Sequence, residues 1–159
     1  MKNLCKTILF LVFVSSITIS CEDIDCSLNN TVKLSCKFYS NGKQVSITDT
    51  LSVTTTGSDS ILVNRYTNLS RLELPMSFWN NTDTLVLTIK GKDYVAQDTL
   101  WISKTNSPHF ESPDCPTHMF HEITEVKSTH SFVDSITITY PHVNYAEVEN
   151  IQIHLFSDI

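Results

Sequence analysis

Hydrophobic and polar residues alternate with a period of two along most of the chain after residue 30. Successive side chains of a β-strand point to opposite faces, so this alternation predicts strands with one buried face. All three glycines fall between the alternating runs, where turns are expected. The predicted strands are 31–40, 44–55, 60–66, 70–76, 83–90, 94–103, 119–128, 132–140 and 149–156.

Short strands separated by turn signals at intervals of about ten residues predict an all-β fold. We expect an antiparallel β-sandwich of immunoglobulin-like or transthyretin-like type, with a small calycin-type barrel as the alternative. Only residues 145–150 have a pattern that could form a short helical turn. No linker interrupts residues 31–159, which we therefore expect to form a single all-β domain.

The first 20 residues have the pattern of an export signal, with two lysines ahead of an apolar run at 8–14. That run is too short to span a bilayer, which needs about 20 apolar residues. A small residue followed by Cys21 resembles the lipobox of bacterial lipoproteins, and Glu22–Asp23 resemble the surface-export signal of Bacteroidota lipoproteins. We expect a signal peptide at 1–20, lipidation at Cys21, a tether at 21–30, and anchoring in the outer membrane facing the periplasm or the cell surface.

Composition and charge narrow the classes of partner. Acidic side chains outnumber basic ones, 17 to 11, and the sequence contains no basic stripe. Nucleic-acid binding needs such a stripe to neutralise phosphates, so we expect no nucleic-acid partner. Charged residues make up only 18% of the chain. This composition suits strands with one solvated face and does not suit a charge-rich disordered chain.

The cysteines of an exported protein lie in an oxidising compartment, where disulfides persist. Cys36 belongs to an alternating strand pattern and is expected to be a buried free thiol. Cys26 and Cys115 both lie in turn-rich sequence, and we predict that they form a disulfide.

The tripeptide Asp-Ser/Thr-Ile/Leu occurs five times. In a structural role, Asp would bond to nearby backbone amides, the hydroxyl residue would begin a strand, and the aliphatic residue would face the core. The tripeptide also resembles the O-glycosylation motif of exported Bacteroidota proteins, and the two roles are compatible. The candidate glycosylated residues are Thr50, Ser60, Thr84, Thr99 and Ser135.

The sequence gives only weak support for metal binding and for catalysis. Cys115, His118 and His121 could bind zinc or copper, but strand positions three apart point to opposite faces and Cys115 is expected to be oxidised. Ser135, with His130 upstream, is a combination of common residues, and the glutamates at 111, 122 and 125 lack an aromatic subsite. We expect no metal, no cofactor and no enzymatic activity.

Aromatic residues offer a different site, because Trp and Tyr combine flat apolar area with a polar group. Phe78 and Trp79 form a candidate sugar-binding platform in a loop, although packing at the core or its rim is the alternative. Trp101 and Tyr66 are further candidates. Trp101 lies between Leu100 and Ile102 and is expected to pack between the layers.

The segments 98–103 (DTLWIS) and 108–116 (PHFESPDCP) resemble a family of Bacteroidota envelope lipoproteins of unknown function. The segment 121–126, the run from 133–136 through 149–151, and Asp25–Cys26 fit the same family. The resemblance implies an all-β envelope lipoprotein with no assigned activity, and it supports pairing Cys26 with Cys115. The family pattern has Gly after the second Cys, where this chain has Pro116.

These observations predict a lipid-anchored, non-catalytic accessory or protein-interaction module that docks on an outer-membrane barrel protein through an unpaired edge strand. The first alternative is a surface glycan-binding protein that uses Trp79 and Phe78. The second is a metal-handling protein that uses Cys115, His118 and His121.

Overall fold

The computed structural model describes residues 31–56, 60–113 and 115–156. These ranges contain eleven β-strands and no helix. The strands are β1 (Leu34–Ser40), β2 (Lys43–Val45), β3 (Thr50–Thr55), β4 (Ile61–Tyr66), β5 (Arg71–Leu74), β6 (Thr82–Lys90), β7 (Val95–His109), β8 (His118–Ser128), β9 (Val133–Ile138), β10 (His142–Val143) and β11 (Ile151–Leu155).

The described strands form two sheets. The six-stranded sheet has the order β10-β8-β7-β6-β3-β4, and the five-stranded sheet has the order β2-β1-β11-β9, with β5 also paired to β1. This arrangement confirms the predicted all-β sandwich. The pairs are antiparallel except for β1–β11, in which Cys36 lies opposite Ile151 and Phe38 opposite Ile153 in a parallel register. The first and last described strands therefore lie side by side.

One hydrophobic core lies between the two sheets. Leu85, Leu87 and Ile89 of β6 are buried in it, as their alternation predicts, and Ile153 of β11 reaches it from the other sheet. Full burial of one such side chain contributes about 1.5–3 kcal/mol of hydrophobic free energy. Cys36 is buried and free, as predicted.

Three strand predictions differ from the structure. The predicted strand 44–55 is divided into β2 and β3, and Ile47 between them pairs with Leu69 in an isolated bridge. The predicted strand 94–103 continues to His109, because β8 pairs with β7 as far as His118. The pattern also gave no sign of the two-residue strand β10.

The short helical turn that the pattern of 145–150 allows does not form: Tyr145 lies in a bend, and 146–150 have no regular secondary structure. Its last residue, Asn150, is buried and fixes the segment through its side chain. The Asn150 Oδ1 atom accepts a hydrogen bond from the Ser35 N–H at 2.9 Å, and Nδ2 donates to the carbonyl oxygens of Tyr140 at 3.0 Å and His142 at 3.1 Å. These tertiary hydrogen bonds compete successfully with local helix formation.

The connection from β8 to β9 crosses between the sheets and is held by Asp98 of β7. The Asp98 carboxylate is fully buried and accepts hydrogen bonds from the N–H groups of Ser131 at 2.9 Å, Phe132 at 2.7 Å and Val133 at 2.8 Å, and from the Thr129 hydroxyl. Burial opposes its charge, but these hydrogen bonds outweigh burial and lower the pKa of Asp98.

Trp101 lies on the outer face of the six-stranded sheet and is 38% exposed, so the expectation that it packs between the layers is wrong. Its neighbours Leu100 and Ile102 occupy the inward positions of β7. Because successive strand residues face opposite sides, Trp101 must point away from the core when Leu100 and Ile102 point into it.

Candidate functional site

The connection between β5 and β6, residues 75–81, carries the aromatic pair that the sequence singles out. We call this segment the aromatic loop. Trp79 is 85% exposed and Phe78 is 49% exposed, so neither side chain is buried in the core. Adjacent exposed aromatic side chains are typical of interaction sites.

Lys104 of β7 lies beneath the aromatic loop, and its side chain is 0% exposed. Its ammonium group donates hydrogen bonds to the carbonyl oxygens of Ser77 at 2.5 Å and Asn80 at 2.8 Å. A third hydrogen bond, of 2.8 Å, reaches Oδ1 of Asn106. Since an ammonium group has three N–H donors, all three are used. Lys104 therefore fixes the backbone on both sides of the Phe78–Trp79 dipeptide.

Asp83 and Asn106 complete this arrangement, and we call the three residues the Lys104 clamp. The Asp83 carboxylate lies 3.6 Å from the Lys104 ammonium and accepts a hydrogen bond from the Ser77 N–H at 3.2 Å. The Asn106 Nδ2 atom donates to the carbonyl oxygen of Asn80 at 3.1 Å. The loop is thus held by a partly buried polar network centred on the buried Lys104, and this order lowers the ordering cost of binding a ligand.

The clamp shifts the pKa values of its ionisable groups. Burial lowers the pKa of Lys104 and raises that of Asp83, and their mutual attraction opposes both shifts. The ring of His121 adjoins the clamp, with Nδ1 2.7 Å from Oδ1 of Asn106. Burial, followed by the charge of Lys104, lowers the pKa of His121 to about 4. His121 is therefore neutral near pH 7 and donates its Nδ1–H to Asn106.

A groove of about 640 Å³ lies beside the aromatic loop, and we call it the aromatic-loop groove. Its volume falls in the range of about 300–1,000 Å³ that is usual for ligand sites. Ser77 and Asn80, which flank the aromatic pair, form part of its wall. Its lining combines polar residues such as Thr82 and Asp83 with apolar ones such as Leu62 and Met76. Such a lining suits an amphipathic ligand rich in hydroxyl groups.

The structure does not bring the candidate metal ligands together. The ring of His118 packs against that of Tyr145, with centroids 5.5 Å apart, whereas His121 is buried beside Asn106. Among the described residues, no group of three His, Cys, Asp or Glu side chains could hold a metal ion.

Cys115 is disulfide-bonded. Its predicted partner Cys26 and the predicted lipidation site Cys21 lie outside the described residues. The Cys26–Cys115 pairing and the lipid at Cys21 therefore stay predictions.

The five Asp-Ser/Thr-Ile/Leu sites fall into two groups by exposure. Ser60 and Ser135 are exposed, whereas Thr50, Thr84 and Thr99 are half-buried. The aliphatic third residue is buried at three sites, Leu51, Leu85 and Leu100, but Ile61 is 60% exposed and Ile136 is only partly buried.

Ser135 and His130, which the sequence analysis considered for catalysis, both contact Asp134 but at different atoms. The Ser135 hydroxyl donates to Asp134 at 3.2 Å, and the Nδ1 atom of His130 faces the carbonyl oxygen of Asp134 at 2.9 Å. Glu111, Glu122 and Glu125 are all exposed.

Sequence reasoning missed Lys104 and the buried role of Asp98. Both residues occupy alternate positions of β7 in step with the inward-facing Leu100 and Ile102. This spacing was the feature of the sequence that could have identified them as inward-facing. It was obscured because a β-bulge follows Ser103 and because charged residues usually mark the exposed end of a strand.

Among the described residues, no helix has the length and apolar character needed to cross a membrane. Comparison with curated proteins and with solved structures finds no significant match. Residues 50–155, two-thirds of the chain, match a family of unknown function, and the chain therefore belongs to this family, DUF6452.

Proposed function

We propose that the protein is a lipid-anchored, non-catalytic carbohydrate-binding module of the outer membrane. The observation that carries the proposal is the aromatic loop, in which Trp79 is 85% exposed while buried Lys104 holds the backbone beside it. A solvent-exposed indole on a loop whose backbone is held in place, and whose flanking residues Ser77 and Asn80 line a polar groove, is suited to a sugar ring.

The chemistry of a sugar matches both parts of this site. The C–H faces of a pyranose ring are apolar and can stack on the indole of Trp79, as other flat apolar surfaces do. Its hydroxyl groups can exchange hydrogen bonds with groove residues such as Thr82 and Asn80. Because the clamp already orders the loop, little conformational entropy is lost on binding.

Anchoring rests on the sequence. The apolar run at 8–14 followed by Cys21 supports export and lipidation, and the resemblance to Bacteroidota envelope lipoproteins supports an outer-membrane location. Mass spectrometry of the protein purified from membranes should find acyl chains on Cys21. A bare Cys21 thiol would refute the anchor without touching the binding proposal.

Glycan-array screening of the domain, followed by calorimetry on the glycans found, tests the binding proposal. Trp79→Ala should weaken binding at least about tenfold, since stacked aromatic residues are among the largest contributors to binding energy. Phe110→Ala is the matched control, because Phe110 is a 65% exposed aromatic residue that does not line the groove and should leave affinity unchanged. Silence on the array, or equal effects of the two variants, would refute the proposal.

A protein-docking module is the second candidate, favoured by the position of β9 at the end of the five-stranded sheet. An edge strand can accept a further strand from a partner, and an outer-membrane barrel protein is the expected partner. Hydrogen exchange on a complex purified from solubilised membranes should show protection of the amides at 133–138. A complex without that protection would argue against β9 as the docking strand.

A further inference from the structure

We infer that the aromatic-loop groove takes uncharged saccharides and discriminates against acidic ones. The inference rests on the proposed carbohydrate-binding function and names the class of glycan that the same site selects. Its basis is the sign of the charge that the Lys104 clamp presents to the groove.

Asp83 is the only ionisable residue among the described residues that line the groove. Its side chain is 12% exposed, whereas that of its partner Lys104 is 0% exposed. The pair is therefore oriented, with the carboxylate toward the groove and the ammonium away from it. A ligand in the groove meets the negative end of the pair first.

Lys104 has no hydrogen bond left to offer to an anionic ligand. Its three donors are used by the carbonyl oxygens of Ser77 and Asn80 and by Oδ1 of Asn106. A ligand carboxylate could recruit Lys104 only by displacing one of these bonds, and the aromatic loop would then lose part of its support.

The discrimination follows from this orientation. Asp83 lines the groove and Lys104 does not, so a ligand carboxylate in the groove would be repelled by Asp83 more strongly than Lys104 attracts it. With the effective dielectric constant of about 20 that applies near a protein surface, a carboxylate about 5 Å from Asp83 and about 8 Å from Lys104 would bind about tenfold more weakly than an uncharged group. The difference should shrink modestly as salt is added, because the groove is open to solvent but Asp83 is only 12% exposed, and partly buried charges are screened less than exposed ones.

The test compares galacturonate oligosaccharides with their methyl esters, and neutral glucans with glucuronate-bearing oligosaccharides of equal length, by array and calorimetry at low and high salt. For each pair we expect the acidic form to bind about tenfold more weakly at low salt, with a smaller gap at high salt. Thr82→Lys adds a cation to the groove and should narrow the gap, whereas Thr105→Lys, at an exposed position of β7 outside the groove lining, should not.

The outcomes separate the two proposals. Equal binding of acidic and neutral forms at low salt, or equal effects of the two lysine variants, overturns the charge selection while carbohydrate binding stands. Binding to none of these glycans overturns both.

Discussion

Replacing Lys104 with methionine is the sharpest test of the clamp. Methionine retains much of the length and apolar volume of the lysine stem but has no charge and no N–H donors. The variant removes the Lys104 donor from the carbonyl oxygens of Ser77 and Asn80, of which Asn80 keeps the Asn106 amide, and it leaves Asp83 without its cation. We expect Lys104→Met to destabilise the domain and to release the aromatic loop.

The loss of stability caused by Lys104→Met can be estimated from the contacts of Lys104. Removing one partner of a buried ion pair costs about 3–5 kcal/mol, because the other charge is left uncompensated. Part of this cost is offset, because burial already opposes the lysine charge, as its lowered pKa indicates. We expect a net loss of about 3 kcal/mol in the free energy of unfolding, which corresponds to a fall in Tm of about 10 °C for a domain of this size.

Urea unfolding followed by circular dichroism measures this loss independently of Trp79. Lys127→Met is the matched control, because its side chain is 66% exposed and its ion pair with Glu125 lies at the surface. That variant should change stability by less than about 0.5 kcal/mol. A double-mutant cycle with Asp83→Asn should give a coupling energy of about 1–3 kcal/mol. Equal stability of the two methionine variants would refute the role assigned to Lys104.

Three further predictions concern groups outside the groove. His121 has a folded pKa of about 4 against an ordinary 6.5, so stability should fall as pH drops from 6.5 toward 4, by up to about 3 kcal/mol, and His121→Gln should flatten this dependence in urea titrations. Asp98 has a lowered pKa, so its contribution to folding stability is present above its ordinary pKa of 3.8 and is lost as pH falls below that value. Asp98→Asn should lower the free energy of unfolding by about 2–4 kcal/mol at pH 7. A loss under about 1 kcal/mol would contradict the role given to its hydrogen bonds. Peptide mapping without reduction should find Cys26 linked to Cys115, and recovery of Cys26 as a free thiol would remove that pairing.

Local pattern predicts much of this fold. The alternation of Leu85, Leu87 and Ile89 gives the correct inward face of β6, and Asn41–Gly42 gives the β1–β2 turn, where both residues have positive φ, 50° and 73°. The parallel pairing of β1 with β11 could not be read in the same way. Neither segment has a local sequence pattern that identifies its partner strand, because the two strands are far apart in the chain. The pairing is specified only by the packing of the whole sheet.

The candidate site was harder to predict because Lys104, its central residue, is a buried charge, whereas charged residues are usually exposed. The exposed pair Phe78–Trp79 could be singled out from the sequence, but a binding loop and a core segment have the same composition. What distinguishes them here is Lys104, a charge at an inward position of β7. A buried charge becomes interpretable only when its partners are known, and those partners lie in a loop more than twenty residues earlier in the chain.

Strand β7 carries two buried charges on the same inward face, on either side of Leu100 and Ile102. Asp98 binds the N–H groups at 131–133 and so directs Phe132 and Val133 into the core, where both are fully buried. Lys104 binds carbonyl oxygens of the aromatic loop, yet the loop leaves Trp79 85% exposed. Both arrangements cost desolvation energy, and each recovers part of it by burying hydrophobic side chains; in the aromatic loop the buried side chain is Met76, whereas Trp79 stays exposed. The second stabilises a loop whose tryptophan is 85% exposed, and this exposure is the physical reason for proposing that the aromatic loop binds a ligand.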